Sequence, residues 1–116
     1  MNNLQIVKSA QFGEVQCDVY SDSQDMFMTA KQLCECLGEK RSTFDSRISR
    51  NPYLKSEEFS VSCKLQGTDG KYYNTRVFTE DGIYEVTLLS DSEKGKIFRA
   101  WVRNLLKSLR KGETVN

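Results

Sequence analysis

The last third of the chain can fold in few ways. Between Ser90 and Gly112, apolar residues recur at Ile97, Phe98, Trp101, Val102, Leu105, Leu106 and Leu109. At about 100° per residue, these positions fill one side of an α-helix. Lys96, Arg99, Arg103, Lys107, Arg110 and Lys111 fill the other side. One face is fit for a core and the other is almost purely cationic. Ser90 and Glu93 have the S-x-x-E spacing of a capping box, and Gly112 supplies a stop. Thr79 is expected to cap the helix before it, with Glu80 and Asp81 placing negative charge on the first turn.

The rest of the chain mixes strands and helices. Leu4 to Val7 and Glu14 to Tyr20 alternate like strands around a turn near Gly13. Asp22 to Asp25 reads as a polar turn and Met26 to Met28 as a short apolar strand. Thr29 then caps a helix whose apolar positions Ala30, Leu33, Cys34 and Leu37 follow i, i+3, i+4, i+7, and Gly38 ends it. Ser42 and Asp45 offer a second capping-box-like start. Phe44 and Ile48 anchor that helix, and Asn51-Pro52 stops it. Phe59, Val61, Cys63 and Leu65 alternate, Gly67 to Gly70 forms a loop, and Lys71 to Phe78 returns as the second arm of a hairpin. Hairpins without regular βαβ units make the class α+β: small antiparallel strands, a helix-turn-helix-like pair and two closing helices.

The 116 residues suit one domain, 1–112, with a short tail, 113–116. No apolar run approaches the ~18 residues of a membrane span, and the first residues, MNNLQIVKSAQFGE, lack the apolar segment of a signal peptide. A cytoplasmic protein with reduced thiols is expected. Cys17, Cys34 and Cys63 fall on apolar stripes, whereas Cys36 points elsewhere. Cys34-x-Cys36 lacks zinc-knuckle spacing and the chain has no histidine, so neither a metal nor another cofactor is expected. The missing histidine also removes Ser-His and Cys-His catalysis, and no glycine-rich phosphate loop is present. The chain does not read as an enzyme.

Net charge is only +1, but it is unevenly spread. Residues 14–39 carry −5, residues 40–55 carry +4 and residues 94–116 carry +6. Solvated helix faces would account for each cluster separately. A bipolar molecule with one face for an anionic partner would account for them together. Two short helices joined by a tight turn and followed by a hairpin could form a winged helix-turn-helix. The second helix would then present Lys40, Arg41, Thr43, Ser46, Arg47, Arg50 and Asn51 to DNA. Arginine can bond guanine O6 and N7 together, asparagine suits adenine, and hydroxyls suit phosphates. Lys64, Lys71, Tyr72 and Arg76 on the hairpin could touch the backbone as a wing. Arg99, Arg103 and Lys107, on the far side of the last helix, are expected to act on phosphates or on a partner protein.

The string from Thr79 to Glu113 also resembles the closing motif of the Bro-N family, the N-terminal domains of phage and prophage antirepressors and of baculovirus repeated-ORF proteins. The shared residues are Thr79, Glu80, Gly82, Ile83, Tyr84, Ser90, Phe98, Trp101, Val102, Arg110, Lys111 and Gly112. Upstream, MFMTAKQLCECLGEK from Met26 to Lys40 is similar to a second, less specific family segment. Lys107 stands where the family often has proline, so the helix here can run on. The resemblance implies a phage- or prophage-derived DNA-binding transcriptional regulator of the antirepressor type, with double-stranded DNA as partner. The alternative is a module that sequesters a phage repressor without touching DNA, using the acidic segment from Glu14 to Glu39. The two roles are compatible in one molecule. The sequence leaves homo-oligomerisation open.

Overall fold

The two hairpins foreseen at either end of the strand-forming sequence belong to a single sheet. The computed structural model describes residues 4–90 and 92–115. β1 (Gln5–Phe12) and β2 (Val15–Ser21) meet at Gly13, whose φ of 62° lies in the left-handed region that glycine enters without steric cost. β3 (Met26–Thr29) follows a turn in which Asp22 Oδ1 accepts the backbone N–H groups of Gln24 and Asp25. β4 (Ser60–Gln66) and β5 (Tyr72–Thr79) form the second hairpin. The order is β1-β2-β3-β5-β4, antiparallel throughout. The joint is the β3–β5 ladder, where Met28 pairs with Phe78 and Phe27 with Thr79.

α1 (Ala30–Leu37) starts where Thr29 Oγ1 accepts the N–H of Gln32, and ends at Gly38 with φ of 69°. Residues 38–40 make the turn into α2 (Arg41–Arg50). A single 3₁₀ turn, Pro52–Lys55, leads to β4. α3 (Glu80–Leu89) and α4 (Glu93–Val115) close the chain. The helices lie on one face of the sheet, because Cys17, Val19, Met26, Met28 and Phe78 share their core with residues from all four. α1 contributes Leu33 and Leu37, α2 Phe44 and Ile48, α3 Ile83 and Val86, and α4 Phe98, Val102 and Leu106. Each such side chain contributes roughly 1.5–3 kcal/mol by leaving water. The other face carries a smaller cluster, Phe27, Cys63 and Val77, flanked by Leu4, Tyr20, Val61 and Leu65.

Several local expectations are corrected by this packing. Ser90 does not cap α4. It closes α3, with its N–H on Val86 O, and is buried. Ser92 caps α4 instead, accepting the N–H of Gly95 at 3.0 Å. α2 begins at Arg41 without a side-chain cap, so Ser42 and Asp45 form no capping box. Gly112 does not stop α4, which continues to Val115. A mid-helix glycine costs only about 1 kcal/mol relative to alanine. Cys36 is fully buried against Cys17, with the sulfurs 3.0 Å apart. Ile97 is 55% exposed, because the buried stripe of α4 runs through Phe98, Val102 and Leu106 and leaves Ile97 beyond its edge. Trp101 is half-buried and packs on Phe12 and Phe98 at 5.1 and 5.8 Å between ring centroids.

Candidate nucleic-acid interface

α2 owes its orientation to two residues. Phe44 and Ile48, one turn apart, are sunk into the core. The opposite side is therefore turned to water and carries Ser42, Thr43, Ser46, Ser49 and Arg50, all exposed. Lys40 and Arg41 lie exposed where the helix begins, and Arg41 Nε donates to Asp45 Oδ1 at 3.1 Å. This ion pair is more than half exposed on both sides, so it holds Arg41 only weakly. The outward surface of α2 is thus rich in hydroxyls and edged by cations.

Two residues expected on that surface are occupied elsewhere. Arg47 is half-buried, and its guanidinium donates to both carboxylate oxygens of Glu39, at 2.7 and 2.6 Å. Glu39 also accepts from Ser90 Oγ at 3.0 Å. Arg47 and, more weakly, Ser90 hold the Glu39 carboxyl below its ordinary value, against burial that pushes it up. The group ties the α1–α2 turn to the end of α3. Helical phase explains the correction: Arg47 sits beside the Phe44–Ile48 stripe and faces the neighbouring turn rather than solvent. Asn51 likewise donates its side-chain amide to Arg47 O at 2.9 Å, finishing α2 in place of water.

The β4–β5 hairpin carries a second polar surface. The pairs Ser62–Arg76, Lys64–Asn74 and Gln66–Tyr72 point to the same, helix side of the sheet as Ser60–Phe78, since every second pair of the ladder shares a face. α2 covers only the Ser60–Phe78 end, so the outer rows remain polar and exposed at Ser62, Lys64, Asn74, Gln66 and Tyr72. Lys71 is exposed in the connecting loop, whose Asp69 accepts the Lys71 N–H and the Tyr73 hydroxyl. Arg76, expected as a wing contact, lies deeper than the exposed rows. It is half-buried, and its Nη1 donates to Ser60 Oγ at 2.8 Å. Between α2, the 3₁₀ turn and β5 lies a cleft of about 230 Å³, and Arg76 is in its wall.

The remaining candidates lie apart. Arg99 is half-buried and Arg103 and Lys107 are exposed, but all three are on α4, which packs on α1 and α3. α2 rests on α1 and the 3₁₀ turn. The acidic segment is also divided. Asp18 is buried and accepts from Ser9, Gln16 and Gln32, and Glu39 is tied to Arg47, while Glu14, Asp22, Asp25 and Glu35 are exposed. Among the described residues, no group of three or more Cys, Asp or Glu is placed to hold a metal ion. No helix there is long and apolar enough to cross a membrane.

The closing motif holds the scaffold together. Thr79 Oγ1 accepts the N–H of Gly82 and donates to Glu58 O at 2.7 Å. Gly82 is required for space: a Cβ there would stand 1.9 Å from Phe59 O. Glu80 accepts from Tyr84 Oη and from Arg110, which links α3 to α4. Burial and that hydrogen bond push the Tyr84 hydroxyl up to about 12. Phe98 and Val102 are core residues of α4. These residues pack and cap the α3–α4 end of the fold.

The family model for the BRO family, N-terminal domain, matches residues 16–107, from β2 through most of α4. No curated protein and no solved structure matches the chain. With the motif residues holding the α3–α4 junction and the match spanning most of the sequence, the chain belongs to the BRO family and carries that family's N-terminal domain.

Proposed function

We propose that this chain is a DNA-binding regulatory domain of the antirepressor type, docking duplex DNA with the outward side of α2 and the polar rows of the β4–β5 hairpin. The observation that carries this reading is the outward side of α2, which combines cations with hydroxyls. Arg41, Thr43, Ser46 and Arg50 are exposed on the helix and Lys40 at its start, and Lys64 and Lys71 are exposed on the hairpin. Arg50 has the donor fork for a guanine edge. Thr43, Ser46, Lys64 and Lys71 suit phosphates, which fix register without reading sequence. With a net charge of only +1, attraction to DNA must come from this local patch rather than from the whole molecule.

The test is a salt-dependent anisotropy titration against random and prophage-derived duplexes. Arg50→Ala should cost about 1–3 kcal/mol on a preferred sequence and relax preference at one base pair. Lys71→Ala should weaken all sequences alike. Absence of duplex binding at low salt, together with capture of a phage repressor that is lost when Glu14, Asp22, Asp25 and Glu35 are neutralised, would replace this reading with the sequestration one.

A further inference from the structure

We infer that the cleft between α2, the 3₁₀ turn and β5 is a preformed seat for a phosphate group, rimmed by Arg41, Lys55 and Arg76. The inference rests on the DNA-binding reading for its ligand, a phosphodiester of the duplex, but not for its geometry. Three cations meet one carboxylate, Asp45, at the rim. The floor is apolar, formed by Phe44, Ile48 and Phe78, which lowers the local dielectric and strengthens any charge contact above it. Arg76 is held in place before any ligand arrives. Ser60, 1% exposed, gives its proton to Leu54 O at 2.6 Å and accepts from Arg76 with the same oxygen. One nitrogen of the guanidinium is thereby fixed, and no carboxylate among the described residues pairs with Arg76 or Lys55. The cleft volume of about 230 Å³ far exceeds the share of one water, roughly 30 Å³, and leaves room for a tetrahedral anion. The cleft opens beside the exposed side of α2, so a strand tracking that helix would pass over it.

Asp45 gives the proposal a sign that a purely structural cleft lacks. Its carboxylate repels an anion and competes for Arg41, so Asp45→Asn should tighten duplex binding at every sequence. Lys55→Gln, at an exposed side chain, should weaken binding equally across sequences and lower the salt slope by about one unit. Arg76→Gln should do the same, with its melting temperature recorded because Ser60 loses a donor. An Asp45→Asn protein that binds no more tightly, or a Lys55→Gln protein with an unchanged slope, overturns the seat while leaving the α2 interface standing. Should the wild-type chain bind no duplex, inorganic pyrophosphate tests the seat alone. Saturable amide shifts at Arg41, Lys55 and Arg76, weakened in Lys55→Gln, support it, and their absence at millimolar pyrophosphate refutes it.

A second, independent observation concerns sulfur. The Cys17 and Cys36 sulfurs lie 3.0 Å apart, both 0% exposed, on β2 and α1. We propose that they form a disulfide when the protein meets hydrogen peroxide, an oxidant small enough to enter by local opening. One sulfur attacks a peroxide oxygen and the O–O bond breaks, giving a sulfenic acid and water. The second sulfur then displaces the sulfenic oxygen as a second water, and the S–S bond forms. Peptide mapping after peroxide should show the Cys17 and Cys36 peptides joined and lighter by two hydrogen atoms. Cys34 and Cys63 should stay unlinked. Oxidised wild type should melt higher than reduced, and Cys17→Ser should show no such gain. Mapping that finds Cys17 and Cys36 unlinked in a protein whose other thiols have been oxidised would overturn the proposal.

Discussion

Replacing Arg47 by alanine should destabilise this domain rather than blind it. The substitution removes two short charge-assisted hydrogen bonds, 2.7 and 2.6 Å, and leaves Glu39 with Ser90 alone. Hydrogen bonds to charged groups contribute about 1.5–3 kcal/mol each, and breaking a fully buried pair costs about 3–5 kcal/mol. Here 13% of the Arg47 side chain and 12% of the Glu39 side chain remain open, so water recovers part of the loss. A cost of about 2–3 kcal/mol follows, which for a domain of this size lowers Tm by roughly 8–20 °C. The effect carries a pH signature. Glu39 is held below its ordinary carboxyl value in the folded chain, chiefly by Arg47. The unfolded chain therefore binds the proton more readily. The contribution is complete above the unfolded value of about 4.3 and drains away as pH falls through the folded one. Thermal melts followed by circular dichroism should show a constant gap between wild type and Arg47→Ala above about pH 5.5, narrowing below pH 4. A double-mutant cycle with Glu39→Gln should return most of the loss as coupling. At a temperature where both proteins are folded, duplex affinity should be unchanged. A Tm shift under about 2 °C, or a gap insensitive to pH, would refute the pairing as the source of stability.

Three further outcomes can be checked by the same melts. Gly82→Ala should cost more than about 3 kcal/mol or prevent folding, because the Cβ would meet the Phe59 carbonyl at 1.9 Å; a near-normal Tm would mean that the contact of α3 with Phe59 is looser than described. Phe98→Ala, at 0% exposure, should lose about 3–5 kcal/mol and Trp101→Ala noticeably less, since Trp101 lies half-buried at the edge of the same aromatic group; equal losses would place the edge of the core elsewhere. Treatment with a chelator should leave Tm unchanged, and stoichiometric zinc by elemental analysis would overturn the reading of the cysteines.

Local periodicity and caps determined most of the elements. Thr29 and Thr79 cap the helices assigned to them, Gly38 ends α1, and Phe44 with Ile48 fixes which side of α2 is buried. These are short-range effects, in which one hydroxyl serves one backbone group or one stripe repeats every turn, so the sequence alone contains them. The family motif was legible as a string of residue types, whereas the contacts that Thr79 and Gly82 make with Glu58 and Phe59, distant in sequence, belong to the fold. Long-range contacts were not legible. Nothing in the string announces that Met28 pairs with Phe78, that Glu39 reaches Ser90 and Arg47 together, or that Cys17 meets Cys36. Arg47 and Arg50 look alike in sequence, three residues apart on one helix. Only the packing of α1, α2 and the end of α3 decides that the first is spent on a carboxylate while the second faces solvent. Arg76 and Lys55 likewise join Arg41 around one cleft because β5 and the 3₁₀ turn are brought beside α2, a proximity that belongs to the fold and to no single segment of it.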